Sequence, residues 1–248
     1  MNNDKTVQSA STDSATLAKP TITLLMPTMN EIEGLRIFVP QIDRSLFDEI
    51  VVMDGGSKDG SLEYAAEQGL TVVQQKRQGL AYGYYDLFRE LKTDYVILFS
   101  PDGNCLVENL PQIVDKIHEG YDLVVVSRYL DDAKSYDDNH VTALGNWMFS
   151  VFINFLGRAR VTDALTIYRA TRRDIVEDEN FERILYGPVF EPLVTSLWTI
   201  RKGKIIEIPG DEPARIGGES KMSVTYNGSC LLLMVIRLYL LRYLRLSV

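Results

Sequence analysis

The feature that most constrains this chain is a rhythm beginning at Thr21, in which short β-rich runs are each followed by a polar turn and then by a stretch of helical periodicity. The runs are Ile22 to Met26, Glu49 to Met53, Thr71 to Gln74, Tyr95 to Phe99 and Leu123 to Ser127. Between them lie helical stretches at Glu31 to Arg44, Ser57 to Gln68, Leu80 to Leu91 and Leu110 to Glu119. Parallel strands need long crossovers, and a helix supplies one while covering a sheet face, so the rhythm predicts an α/β fold with a mostly parallel sheet flanked by helices. In such sheets ligands bind beyond the carboxyl ends of the strands. The turns at Pro27 to Glu31, Asp54 to Gly60, Gln75 to Gly79 and Ser100 to Asn104 are therefore expected to converge on one site.

After Ser127 the rhythm gives way to longer helical stretches, Val141 to Leu156 and Val189 to Ile200, with an isolated strand at Lys204 to Ile208. A length of 248 residues suits one domain with tails. The net charge of −8 argues against a nucleic-acid binder, which needs a basic face. Cys105 and Cys230 are far apart and have no metal-ligand spacing, in keeping with a reducing cytoplasm. Residues 1–19 are polar, lack the apolar core of a secretory signal, and read as a disordered tail. The expected domain runs over residues 20–222.

Residues 223–248 read as an amphipathic helix. Cys230 to Ile236 is wholly apolar, and Arg237, Arg242 and Arg245 fall within about 140° of one another at helical spacing. A basic edge beside a wide apolar face favours lying in a membrane interface over crossing it. A core helix, or one that pairs two copies of the chain, stays open.

The most informative motif is Val51 to Ser61, VVMDGGSKDGS. Asp54 ends a strand, glycines permit close backbone approach, and Asp59 precedes the next helix, an arrangement suited to a base edge or ribose. A tight turn with Ser57 as helix cap is the competing reading. Upstream, Asn30 and Glu31 follow the first strand, where Asn30 is equally readable as a cap.

In combination, PTMNE after the first strand, DGGSKDGS after the second and an Asp-containing turn after the fourth resemble family 2 glycosyltransferases. More narrowly they resemble the polyprenyl-phosphate mannose or glucose synthases, and the resemblance covers Ile22 to Lys221. It implies a GT-A, Rossmann-like fold and nucleotide-sugar contacts from Pro27, Asn30, Glu31, Asp54, Gly56, Ser57, Asp59, Arg77, Gly79 and Asp102. It also implies Mg²⁺ or Mn²⁺ held against the donor diphosphate by an Asp-x-Asp turn, since hard cations want oxygen ligands. Here the first acid is Ser100, which leaves Asp102 and Asn104 as ligands. Without a metal, a cation such as Arg77 would have to stabilise the departing nucleotide.

The same resemblance assigns acceptor phosphate to Arg128 in Ser127-Arg128-Tyr129, to Arg169 at the end of Val161 to Arg169, and to Arg215, Ser220 and Lys221 in Arg215 to Lys221. Asp163 and Arg169 are alternatively readable as an ion pair, and residues 135–157 lack the second phosphate-binding arginine of relatives. The implied reaction is an inverting transfer from a GDP- or UDP-linked sugar to a lipid phosphate or a glycan, on the cytoplasmic face of a membrane. Asp102, Asp163 and Glu191 are the candidate catalytic carboxylates, the last two as bases for a hydroxyl acceptor. A transferase to a saccharide hydroxyl and a nucleotide-sugar-binding scaffold impaired at Ser100 are the alternatives.

Overall fold

The computed structural model describes residues 19–137, 140–157, 159–216 and 223–244. Its centre is a seven-stranded sheet of β1 (Ile22–Thr28), β2 (Glu49–Asp54), β3 (Thr71–Gln74), β4 (Tyr95–Leu98), β5 (Leu123–Ser127), β6 (Arg169–Arg172) and β7 (Ile205–Pro209), in the order β3-β2-β1-β4-β6-β5-β7. All pairs are parallel except those of β6, which runs antiparallel between β4 and β5. The expected α/β architecture, a mostly parallel sheet flanked by helices, is thus the observed one. From β1 the chain builds outward to β3 and then returns to place β4 on the other side of β1. That reversal opens a crevice at the carboxyl ends of β1 and β4, where such sheets bind ligands.

Alternation along β1 sends Leu25 to one face and Leu24 and Met26 to the other. The first face packs under α3 (Leu80–Glu90), α5 (His140–Gly157), α6 (Phe181–Ile184), α7 (Phe190–Arg201) and α8 (Val224–Tyr239). The second packs under α1 (Ile32–Phe38), α2 (Ser61–Glu67) and α4 (Leu110–His118). β1 and β5 are buried along their whole length, as strands covered on both faces must be.

Three departures from expectation have local causes. The first helix stops at Phe38 rather than Arg44, because Pro40 cannot donate within a helix and the chain passes into short 3₁₀ turns. The second begins at Ser61 with Gly60 as its cap at φ 94°, so Ser57 belongs to the preceding loop and caps no helix. β6 was not anticipated, since its RATR sequence reads as polar; Arg169 and Thr171 are nevertheless fully buried. α8 is integrated into the domain, with Cys230, Leu231, Met234, Val235 and Leu238 in the core, and ends in a π-helical turn at Leu240–Leu244.

Candidate functional site

The turns after β1 and β2 form one hydrogen-bonded platform. Asn30 sits at φ 61°, a left-handed conformation that asparagine tolerates, and its Oδ1 accepts the Lys58 amide at 2.8 Å. The Asn30 amide donates to Ser57 Oγ at 2.9 Å, and the Glu31 amide to Ser61 Oγ at 3.1 Å. Asp59 accepts the Ile32 amide at 3.0 Å, satisfying an orphan donor at the start of α1. Burial works to raise the Asp59 pKa, but the hydrogen bonds from Ser61 and Ile32 prevail and hold it low. Asp54 is buried and accepts the amides of Gly56 and Ser57 at 2.9 and 3.0 Å. The acids and amides of the motif thus shape the loop, while Gly56, at φ 108° with open space where a Cβ would stand, leaves room for a ligand.

The turn after β4 faces this platform across the crevice. Gly34 of α1 makes that approach possible, since a Cβ there would lie 1.8 Å from the Pro101 carbonyl oxygen. Asp102 is buried, accepts the Asn104 amide at 3.1 Å, and carries Arg215 Nη1 at 3.1 Å. The Ile216 amide donates to the Asp102 carbonyl at 2.7 Å, so Arg215 and Ile216 lie over the turn. Asn104 Nδ2 donates to Asp137 at 3.0 Å, whereas its Oδ1 is buried with no hydrogen-bond partner. That orphaned hard oxygen, next but one to the Asp102 carboxylate, fits a divalent cation; a preformed cage of three acids, histidines or cysteines is absent among the described residues.

Arg77 does not reach across the crevice. It makes a bidentate pair with Asp86 of α3 at 2.6 and 2.9 Å and lies over Tyr82 and Tyr85, and Asp86 raises its pKa further. Gly79, at φ 96°, opens α3.

On the far side of β5 the arginines divide. Arg128 is clamped by Asp163 through Nε at 2.7 Å and Nη2 at 3.0 Å, and by Glu212 at 3.1 Å. Asp163 is fully buried and also accepts the Thr166 amide at 3.1 Å, so both oxygens are engaged by donors of the protein itself. Its ionic partner is therefore Arg128 and not Arg169. Arg169 is fully buried, and its donors go to the carbonyls of Ala164, Thr166 and Glu191 and to Thr195 Oγ1. It braces the loop entering β6 and is withdrawn from any acceptor phosphate. Desolvation lowers its pKa to about 10. Burial also raises the pKa of Glu191, against the opposing charge of Arg169.

Sequence reasoning missed three residues. Asp137 and Glu212 neutralise the site arginines and lie outside the four turns that the sequence singles out. Tyr84 of α3 is fully buried with an unpartnered hydroxyl; burial first, then the nearby Glu191 and Asp102 carboxylates, push its pKa well up and keep it neutral. In sequence it reads as a core aromatic. Ser220 and Lys221 lie outside the described residues. A cavity of about 490 Å³ between Gly157, Lys202 and Ile205 contains none of the predicted site residues.

The family description Glycosyl transferase family 2 matches residues 23–179. The low-salt glycan biosynthesis hexosyltransferase Agl6 of Haloferax volcanii is 30% identical over 70% of this chain and 43% of its own length. The dolichol-phosphate mannosyltransferase of Pyrococcus furiosus is 25% identical over 81% of this chain and 59% of its own. The polyprenol monophosphomannose synthase of Mycolicibacterium smegmatis is 28% identical over 87% and 86%. The chain spans about half the length of some of the curated relatives it matches. The glucosyl-3-phosphoglycerate synthase of Mycobacterium tuberculosis, solved with Mn²⁺, UDP and glucosyl-3-phosphoglycerate, superposes with a TM-score of 0.64 at 21% identity, over 91% of this chain and 80% of that one. The fold is shared.

Proposed function

The chain belongs to glycosyl transferase family 2, and on that premise we propose that it transfers a hexose from a nucleoside diphosphate sugar to a polyprenyl-phosphate-type lipid, with inversion, on the cytoplasmic face of a membrane. The observation that carries this reading is the crevice where the Asp54 platform faces Asp102, with Arg215 lying on the Asp102 carboxylate. Two relatives are named for dolichol- or polyprenol-phosphate mannose synthesis, which supports the acceptor class.

In this reading residues 20–222 are the catalytic unit and residues 223–248 its membrane-side element. The platform of Pro27, Asn30, Glu31, Asp54, Gly56, Ser57 and Asp59 receives the nucleoside, with Asn30, Ser57 and Asp59 acting through the loop shape they hold. Asp102 and Asn104 would hold Mg²⁺ or Mn²⁺, which when bound neutralises charge on the leaving diphosphate. A structural neighbour solved with Mn²⁺ and UDP supports that assignment. Arg215 supplies a cationic donor on the acceptor side, and Arg128, held by Asp163 and Glu212, acts by fixing the loop after β5.

The acceptor oxygen forms a bond to the anomeric carbon while the bond from that carbon to the diphosphate oxygen breaks, and the electron pair leaves with the nucleoside diphosphate. A phosphate acceptor is already anionic at neutral pH, so no residue has to take a proton. The protein's work is then to orient the reactants, place charge and exclude water. A saccharide hydroxyl would need a base, and the raised pKa of Glu191 makes that residue the candidate for this second reading.

The test is incubation of the full chain with radiolabelled GDP- and UDP-sugars and a polyprenyl phosphate. Label in a mild-acid-labile lipid is the expected result. Label only in a saccharide would replace the lipid reading with the hydroxyl one. Nucleotide binding with no transfer to any acceptor would overturn both.

A further inference from the structure

Helix α5 carries no acidic or basic residue of the Asp, Glu, Lys and Arg types on either face. Its inner positions Asn146, Phe149, Ser150, Ile153 and Leu156 are buried at helical spacing. The outer positions Leu144, Trp147, Met148 and Phe155 are exposed, Trp147 by 63% and Phe155 by 69%. A helix on a water-facing surface carries charge there, yet His140 to Gly157 contains no Asp, Glu, Lys or Arg. α8 repeats the pattern, with a buried stripe through Met234 and Leu238 and exposed Leu232, Leu233 and Ile236. The two helices are tied together, Tyr239 Oη donating to the Phe152 carbonyl at 3.1 Å and Tyr243 Oη to the Phe155 carbonyl at 3.2 Å.

We propose that the outer faces of α5 and α8 form one docking surface for an anionic lipid bilayer, with Trp147 seated at headgroup level. Charge complementarity selects this occupant. The chain holds 34 acidic residues and a net charge of −8, but neither helix contains an Asp or Glu, and the charges there are Arg237 of α8 and Arg242 of the π-helical turn that continues it. An anionic bilayer attracts those arginines, accepts an apolar face without detailed shape matching, and is where tryptophan concentrates. A second copy docked face to face would bring Arg237 and Arg242 against the same arginines of its partner. Continued by its π-helical turn, α8 gives a stretch, Val224–Tyr243, long and apolar enough to cross a membrane by length and composition. Its buried stripe instead holds it along the domain, which makes it a helix that lies on the bilayer beside α5.

The inference deepens the membrane-side part of the proposed function, but vesicle binding needs neither donor nor acceptor, so its failure would leave sugar transfer standing. The experiment is flotation of the full chain with vesicles of phosphatidylcholine alone and of equal parts phosphatidylcholine and phosphatidylglycerol. The chain should float with the anionic vesicles, and the Met148→Glu/Phe155→Glu double variant, verified as folded by circular dichroism, should lose binding about tenfold or more. Trp147 gives a second readout because Trp198 is only 5% exposed. Brominated lipid should quench the wild-type fluorescence and leave the Trp147→Phe variant unquenched. Undiminished flotation of the double variant, or quenching that survives Trp147→Phe, overturns the proposal by showing that α5 does not touch lipid. Absence of flotation by the wild type also overturns it, and a dimer that the double variant converts to monomer would assign the face to a second copy.

Discussion

Arg215 places Nη1 3.1 Å from Asp102 Oδ2, while the next residue's amide is anchored on the Asp102 carbonyl at 2.7 Å. A divalent cation on Asp102 and the Arg215 guanidinium would need the same carboxylate, so loading the site entails separating the pair. Arg215→Gln should therefore lower the Mn²⁺ concentration that gives half-maximal thermal stabilisation in saturating nucleoside diphosphate, by about tenfold. Asp102→Asn should abolish the Mn²⁺-dependent part of that stabilisation. An unchanged Mn²⁺ response in both variants would remove Asp102 from the metal site.

Arg128 and Asp163 are both withdrawn from solvent and joined by three hydrogen bonds, two from the guanidinium and one from the Arg128 amide. Removing one member strands the other's charge. Asp163→Ala should cost about 3 to 5 kcal/mol of stability in chemical denaturation, far more than an exposed pair would. A variant of wild-type stability that had lost only turnover would instead restore Asp163 as a catalytic base.

Gly34 tests how closely the fourth turn is held. A methyl group 1.8 Å from the Pro101 carbonyl oxygen forces α1 or the turn to move, so Gly34→Ala should cost about 1 to 3 kcal/mol. Because the displaced turn carries Asp102, nucleoside diphosphate affinity measured by calorimetry should fall as well.

Asp59→Ala removes the acceptor for the Ile32 and Ser61 amides and should cost about 1 kcal/mol at neutral pH. The sign of the pH dependence follows from the lowered pKa of Asp59. The carboxylate's stabilisation is complete above the ordinary carboxylate range and is lost as the pH falls through the lowered folded value. Unfolding curves of wild type and variant should therefore converge in acid and separate as the pH is raised towards neutrality.

The rhythm of β-rich runs and polar turns sufficed for the first five strands, most plainly for the buried ones, whose near-continuous apolar runs Leu24 to Met26 and Leu123 to Val126 are what strands covered on both faces require. The same pattern puts the polar turns of the candidate site at the carboxyl edge of the sheet. β6 was not, because its core-facing Arg169 is made tolerable by carbonyls from Ala164, Thr166 and Glu191 that local pattern cannot reveal. The charge pairs were equally hidden: Arg128 finds Asp163 and Glu212 across 35 and 84 positions of sequence.

By itself, the sequence determined the α/β architecture, the polar turns that line its carboxyl edge and the apolar character of α5 and α8, because each follows from periodicity or turn chemistry within a few neighbouring residues. Only the tertiary structure decided which carboxylate meets which arginine, that Arg169 is enclosed while Arg215 lies on Asp102, and that α5 and α8 stand side by side with their outer faces bare. Those outcomes depend on groups distant in the chain arriving at one place, where burial and hydrogen-bond satisfaction determine what each side chain can do.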